Sequence, residues 1–148
     1  KHNISTIVDP KSDNIKKYEG TSIITPNMNE FKEMTNSKQF KNNSEIVEKG
    51  KKLIADNNIK TLILTRSEEG MTMIQQDQVK HYPTKAIKVS DITGAGDTVV
   101  AAIAFGEALK FDFDTTINFA NIAAGVVVSK VATSTASIQE IEEYEQRI

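Results

Sequence analysis

The sequence predicts an α/β domain: a mostly parallel sheet flanked by helices, with one β-hairpin excursion. Three observations predict it. Short β-branched runs alternate with segments of helical period along the chain, the pattern that builds parallel sheets with helical crossovers. Thr61 to Thr65 is a near-continuous apolar run, as a strand covered on both faces requires. The segments 71–74 and 79–82 flank the polar stretch Gln75-Gln76-Asp77-Gln78 and read as a hairpin.

Each element has its own signal. Ile4 to Val8 is a β-branched run stopped by Asp9-Pro10, because Pro cannot donate to a ladder. Gly20 leads into a second such run, Thr21 to Thr25. After Pro26, Asn27 to Thr35 reads as a short helix with Phe31 and Met34 inward. Ser44 is the expected N-cap of a helix to about Asn57, with Ile46, Val47, Gly50, Leu53 and Ile54 forming its apolar stripe. Ala86 to Val89 reads as a further strand. Thr98 to Lys110 is apolar almost all round, which predicts a buried helix. Asp114 is the expected cap of a helix to about Lys130, and Ser137-Ile138-Gln139-Glu140 is a capping-box sequence opening a charged last helix. With no linker or repeat in view, the chain reads as one folding unit.

The composition narrows the chemistry. The 148 residues, 39% hydrophobic and 26% charged, are too apolar for a disordered chain. Lys and Arg number 18 against 20 Asp and Glu, for a formal charge of −2. A nucleic-acid-binding surface would show a basic excess instead. Zero cysteines exclude disulfides, Cys-ligated zinc and a thiol nucleophile, and accord with the cytoplasm. Apolar runs such as Val99 to Phe105 fall far short of the roughly 20 residues a membrane helix needs. The chain opens at Lys1, without Met, in front of an apparent strand, which suggests part of something longer.

The stretch Asp91-Ile92-Thr93-Gly94-Ala95-Gly96-Asp97-Thr98 stands just before the apolar helix. Glycines around a small residue permit a tight turn and leave main-chain N–H groups unobstructed. The helix start adds unpaired N–H groups and the positive end of its dipole, so the loop suits an anion such as phosphate. Asp97 falls in the first turn. A carboxylate beside an anion hole is odd for simple phosphate binding, because like charges repel. It makes sense if Asp97 takes a proton from an attacking hydroxyl while the amides stabilise the transferring phosphoryl. The bland alternative is a glycine turn capped by Asp97. Known phosphate loops do not match: the chain has no Gly-Lys-Ser/Thr tripeptide, and Val99 stands where a dinucleotide fingerprint needs its third glycine.

The run Asp91 to Thr98 resembles, without a gap, the Asp-x-Thr-Gly-Ala-Gly-Asp signature of the ribokinase-type (PfkB) carbohydrate kinases. That resemblance implies Asp97 as catalytic base and the Gly94, Ala95 and Gly96 amides as the anion hole. Thr25-Pro26-Asn27-Met28-Asn29-Glu30 resembles the family's Asn-x-x-Glu segment, which implies ATP and Mg²⁺ contacts at Asn27, Met28, Asn29 and Glu30, with Glu30 acting indirectly on the metal. Thr65, Arg66, Ser67 and Gly70 match the strand-to-loop turn beside the nucleotide, and Asn121 lies in the helix lining the adenine pocket. Asp91, Thr93 and Ser134 would form a monovalent-cation site, K⁺ in this family. Further spellings, Ile-Val-Asp-Pro-Lys and Leu-Thr-Arg-Ser-Glu-x-Gly-Met among them, are similar to the heptose 7-phosphate kinase branch. The implied whole is a ribokinase-like fold using ATP, Mg²⁺ and a phosphorylated sugar, homodimeric at full length, with residues 1–148 its C-terminal, nucleotide-binding half. Another sugar or nucleoside kinase, or a nucleotide-binding piece without activity of its own, also fits these residues.

Several of these positions have ordinary readings too. Asn27 with Glu30 is close to a capping box. Lys11 is either a solvated turn residue or reaches a phosphate, and Arg66-Ser67 is either a surface loop or a ligand loop at a strand end. Asn121 makes either a nucleotide contact or an internal hydrogen bond. Thr133-Ser134-Thr135 is either a cap-rich turn or part of the cation loop. His2 and His81 have no paired spacing and read as surface residues.

Overall fold

The computed structural model describes residues 4–11, 14–132 and 134–148; His2 and Thr133 lie outside them. Instead of one folding unit, the chain forms two compact units, Lys1–Arg66 with Thr72–His81 and Ser67–Met71 with Tyr82–Ile148.

The first unit carries the sheet, in the order β1 (Ile7–Val8), β2 (Ile23–Ile24), β3 (Thr61–Thr65), β4 (Met71–Ile74), β5 (Val79–Tyr82). β1 pairs parallel with β2, and β2 parallel with β3, with Ile23 opposite both Ile7 and Thr61. The hairpin is where the sequence puts it, closed by the Gln75 N–H donating to the Gln78 carbonyl at 2.8 Å. β1 and β2 are shorter than their β-branched runs because hydroxyls take over at their start: the N–H groups of Thr6 and Ser22 each donate to the other's side-chain oxygen.

Helix α1 (Met28–Met34) buries Phe31 and leans the half-buried Met28 and Met34 on the core. Helix α2 (Asn43–Asp56) starts earlier than Ser44 predicts: Asn42 is its cap, accepting the Glu45 N–H at 3.0 Å. Its stripe is as expected, with Ile46, Gly50, Leu53 and Ile54 buried. Together with Ile24, Leu62 and Leu64 these side chains form one apolar core.

The second unit is helical: α3 (Ala95–Leu109), α4 (Phe113–Ser129) and α5 (Ile138–Glu145), with α4 packed on both others. Gly106 of α3 sits against the buried Thr116 of α4 so closely that a side chain at 106 would collide with it. The buried helix expected from Thr98 differs in two ways. It begins at Ala95, and one side of it, with Ala101, Ala104, Phe105, Ala108 and Leu109, is open to solvent. The α4 cap is Asp112, whose carboxylate accepts the Thr115 N–H at 2.8 Å. Asp114 instead accepts a hydrogen bond from the hydroxyl of the buried Tyr82. Burial first, and then that bond, push the Tyr82 phenol well above its ordinary range.

The capping box at Ser137 forms as predicted. Lys130 bridges to Glu140 and donates to the Thr135 carbonyl at 2.7 Å. The Lys130 bond, then those of Ser137, hold the Glu140 carboxyl down at about 2. No helix among the described residues is long and apolar enough to cross a membrane.

Residues 86–89 are not a strand. The stretch from Pro83 to Asp91 has helix α4 and helix α5 as its hydrogen-bond partners, and those bonds replace a ladder.

Candidate active site

In the first unit, the candidate residues gather at the C-terminal ends of β2 and β3, the end at which open α/β sheets hold ligands. The Thr65 N–H donates to the Pro26 carbonyl at 3.0 Å, and Asn27 bridges to Thr65 in parallel fashion. Asn27 is a full capping-box residue. Its Oδ1 accepts the N–H groups of Asn29 and Glu30 at 2.9 and 3.0 Å, while Glu30 Oε2 accepts the Asn27 N–H at 2.8 Å. The ordinary reading of this pair is therefore built into the turn. A carboxylate has about four acceptor positions, so one helix bond leaves Glu30 capacity for water or a hydrated ion.

Arg66 is the surprise of this region. The string Arg-Ser-Glu-Glu looks like a surface loop, yet Arg66 is only 9% exposed. Its Nη2 donates to Asn43 Oδ1 at 2.8 Å and its Nη1 lies 3.4 Å from Thr72 Oγ1, which in turn meets His81 Nδ1 at 3.0 Å. The guanidinium thus ties β3 to the start of α2 and to the hairpin. Lys11, for its part, pairs with Asp9 at 2.6 Å.

The second unit holds the other set. Ser67 is exposed and opens a tight 3₁₀ turn, Ser67–Glu69. Gly70 closes that turn with its N–H on the Ser67 carbonyl. It has φ +93° and no room for a Cβ against the carbonyl of Tyr82. Asn121 is 3% exposed. Its amide donates to the Pro83 carbonyl at 2.6 Å and accepts the Lys85 N–H at 3.3 Å. Of its two readings, the internal hydrogen bond is the one the fold displays.

The glycine loop is built from the main chain. Asp91 Oδ1 accepts the Thr93 N–H at 2.8 Å. The Thr93 hydroxyl first, then the N–H groups of Thr93 and Ala132, hold the Asp91 carboxyl below its usual range. Gly94 follows at φ +84°, a left-handed conformation that any other residue would adopt at a cost. It is the N-cap of α3, and no side chain caps this helix. The Ala95 N–H is turned to the Ile92 carbonyl at 3.2 Å. The N–H groups of Gly96 and Asp97 follow in the first turn, where α-helices lack internal acceptors. A Cβ at Gly96 would meet nothing within 4 Å. Asp97 is exposed, and no group among the described residues donates to its carboxylate. The loop therefore presents an unobstructed amide corner and an unengaged carboxylate side by side.

Sequence reasoning missed three groups that support this loop: the Val128 carbonyl, which accepts the N–H groups of Ser90 and Asp91 at 2.6 and 3.2 Å; Ala132; and Tyr144, whose hydroxyl accepts the Ile87 N–H at 2.7 Å. None carries a local signal, because each acts on residues far away in the chain.

Among the described residues no group of three or more His, Asp or Glu side chains could hold a metal ion. Donors from Thr93 and Ala132 converge on Asp91, one of the residues that the resemblance assigns to the monovalent-cation site.

Comparison with known proteins gives a consistent picture. The chain is 44% identical over 143 residues to the bifunctional protein HldE of Actinobacillus pleuropneumoniae, covering 96% of this chain and 30% of that protein. It is 43% identical over 143 residues to the HldE of Haemophilus influenzae, with the same coverage. It thus spans under a third of the length of these relatives. Among solved structures, phosphofructokinase-2 of Escherichia coli superposes with a TM-score of 0.83 at 16% identity, over 97% of this chain and 47% of that one. The ribokinase of Thermotoga maritima gives 0.82 at 22% identity, over 99% and 50%. These likenesses show the fold, a ribokinase-like α/β sheet flanked by helices. Residues 1–140 match the model of the pfkB family carbohydrate kinases, and to that family this chain belongs.

Proposed function

We propose that residues 1–148 are the nucleotide-binding half of an ATP-dependent kinase for a phosphorylated sugar. The observation that carries this reading is the start of α3: Gly94 in the left-handed conformation, no side-chain cap, and an Asp97 carboxylate that the fold leaves unengaged. A helix that needed only a stable start would use Asp97, or a Ser or Asn before it, to close its free N–H groups.

In the transfer, Asp97 accepts the proton of the attacking sugar hydroxyl as the new O–P bond forms and the bond from the γ-phosphorus to ADP breaks. The resemblance gives the phosphoryl oxygens to the amides of Gly94, Ala95 and Gly96; with the Ala95 N–H bonded to the Ile92 carbonyl, those of Gly96 and the adjoining Asp97 are the ones left for an anion. Asn27 and Glu30 would order the water shell of a bound Mg²⁺, whose charge would offset that of the phosphates. By the family resemblance Met28, Asn29, Thr65, Ser67 and Gly70 would contact the nucleotide; Arg66 ties β3 to the start of α2, and Asn121 holds the main chain at Pro83 and Lys85.

The acceptor we infer is D-glycero-β-D-manno-heptose 7-phosphate, phosphorylated on its anomeric hydroxyl to the 1,7-bisphosphate for ADP-heptose and the lipopolysaccharide core. The heptose-kinase spellings and the HldE relatives support that choice. The full-length protein, given ATP and Mg²⁺, should phosphorylate this sugar far faster than fructose, ribose or adenosine in a coupled ADP-release assay. Preference for one of those three would replace the acceptor but keep the kinase; no transfer to any acceptor would overturn both. The 148-residue chain alone should bind ATP without turnover.

A further inference from the structure

We propose that Tyr144 is a positioning residue for the glycine loop, acting on it through the main chain of residues 87–91. The inference rests on reading Gly94 to Asp97 as the transfer loop. The segment that leads into this loop is not a strand. It is held at intervals instead: Asn121 binds Pro83 and Lys85, Tyr144 binds Ile87, and the Val128 carbonyl binds Ser90 and Asp91. Among these holders Tyr144 alone comes from α5. It supplies the midpoint between Lys85 and Ser90, in a stretch where Ile87 and Val89 are each 60% exposed and core packing contributes little restraint.

The fold makes room for this contact. Tyr144 is 8% exposed. A Cβ at Gly125 of α4 would stand 3.2 Å from its ring, 3.3 Å from its hydroxyl and 3.4 Å from the Lys85 carbonyl. A larger residue at 125 would press on both the ring and the segment.

Each residue has two soft backbone dihedrals. Without the hydroxyl, the stretch from Ala86 to Val89 has no hydrogen-bonded anchor to a helix, and its motion loads the Val128 bonds at Ser90 and Asp91, which are then the last hold before Gly94. A phosphoryl transfer that depends on placement responds steeply, since a misplacement of about 1 Å costs on the order of 10²-fold in rate.

The test is Tyr144→Phe in the full-length protein, which keeps the ring and removes only the hydroxyl. Amide hydrogen exchange from Ile87 to Thr93 should rise about tenfold, with the interiors of α3 and α4 unchanged. The kcat should fall about tenfold while KM for ATP stays within about twofold. Exchange confined to Ile87, or an active enzyme with unaltered kcat, would overturn the proposal. So would faster exchange throughout α5 without a change in kcat, the mark of a merely structural tyrosine. If the wild type transfers phosphate to no acceptor, the kinase reading fails, and exchange across Asp91 to Thr93 still decides whether Tyr144 holds the loop. Should the variant not fold, the wild type decides: the Ile87 amide must exchange as slowly as the interior of α5, and rapid exchange there overturns the proposal.

Discussion

At Asn27 the incoming helix is closed by its own side chains: Oδ1 takes two N–H groups and Glu30 returns a bond to the cap. At Gly94 the incoming helix is left open, with no side-chain cap and a first-turn carboxylate that nothing in the described chain engages. Both starts carry an acidic residue at the third helical position, Glu30 in one and Asp97 in the other. Residue type alone would make them equivalents. The difference lies in the preceding residue: Asn supplies an acceptor and an extended backbone, whereas Gly supplies neither and permits φ +84°. A helix start that satisfies itself is mainly structure, and one left unsatisfied has capacity for a ligand.

Exchanging the acid at each start breaks or sharpens that contrast. The largest effect is expected from Asp97→Asn in the full-length enzyme: kcat down by about 10²–10⁴-fold, the range of a lost general base, with ATP affinity by calorimetry within a few-fold. Near-normal kcat would remove Asp97 from the chemistry. The neighbouring glycines should then separate stability from activity. Gly94→Ala forces a left-handed alanine and should cost about 1–2 kcal/mol in denaturant melts. Gly96→Ala meets no atom within 4 Å, so stability should hold or rise by up to about 1 kcal/mol, yet kcat/KM should fall tenfold or more because the methyl enters ligand space. Equal loss of stability in both would mean the corner faces protein and not substrate. The smallest effect is expected at the closed start. Asn27→Ala should lose about 1 kcal/mol, whereas Asn27→Asp, which can still cap, should melt like the wild type. If Asn27→Asp also keeps its Mg²⁺·ATP affinity, the residue acts as a cap and no more.

Elements whose signals are local were legible in the sequence. The hairpin around Gln75 to Gln78, the stripe of α2 and the boxes at Asn27 and Ser137 each depend on residues within a few positions of one another. Cap choice was less so: Asn42 and Asp112 displace Ser44 and Asp114 because adjacent polar residues differ little as caps. What failed was non-local. The spelling of Ala86 to Val89 is sound for a strand, but strand formation needs a neighbouring ladder, and here the bond from a helix to that stretch comes from a tyrosine 57 residues away. The burial of Arg66 was illegible for the same reason, since its partner Asn43 lies 23 positions earlier. In the candidate site, the glycine corner could be read from Gly-Ala-Gly-Asp, but the groups that hold it in place could not.

The contact between Gly106 and Thr116 has a mechanical meaning. An α-helix is stiff along its length, and from Gly106 back to Asp97 it runs on the order of 14 Å at 1.5 Å per residue. With no slack where the two helices touch, α3 cannot slip along α4 without forcing them apart. The pinch, near the far end of the rod, thus sets how far its tip protrudes, and a single added methyl there would be felt about two and a half turns away as a change in reach.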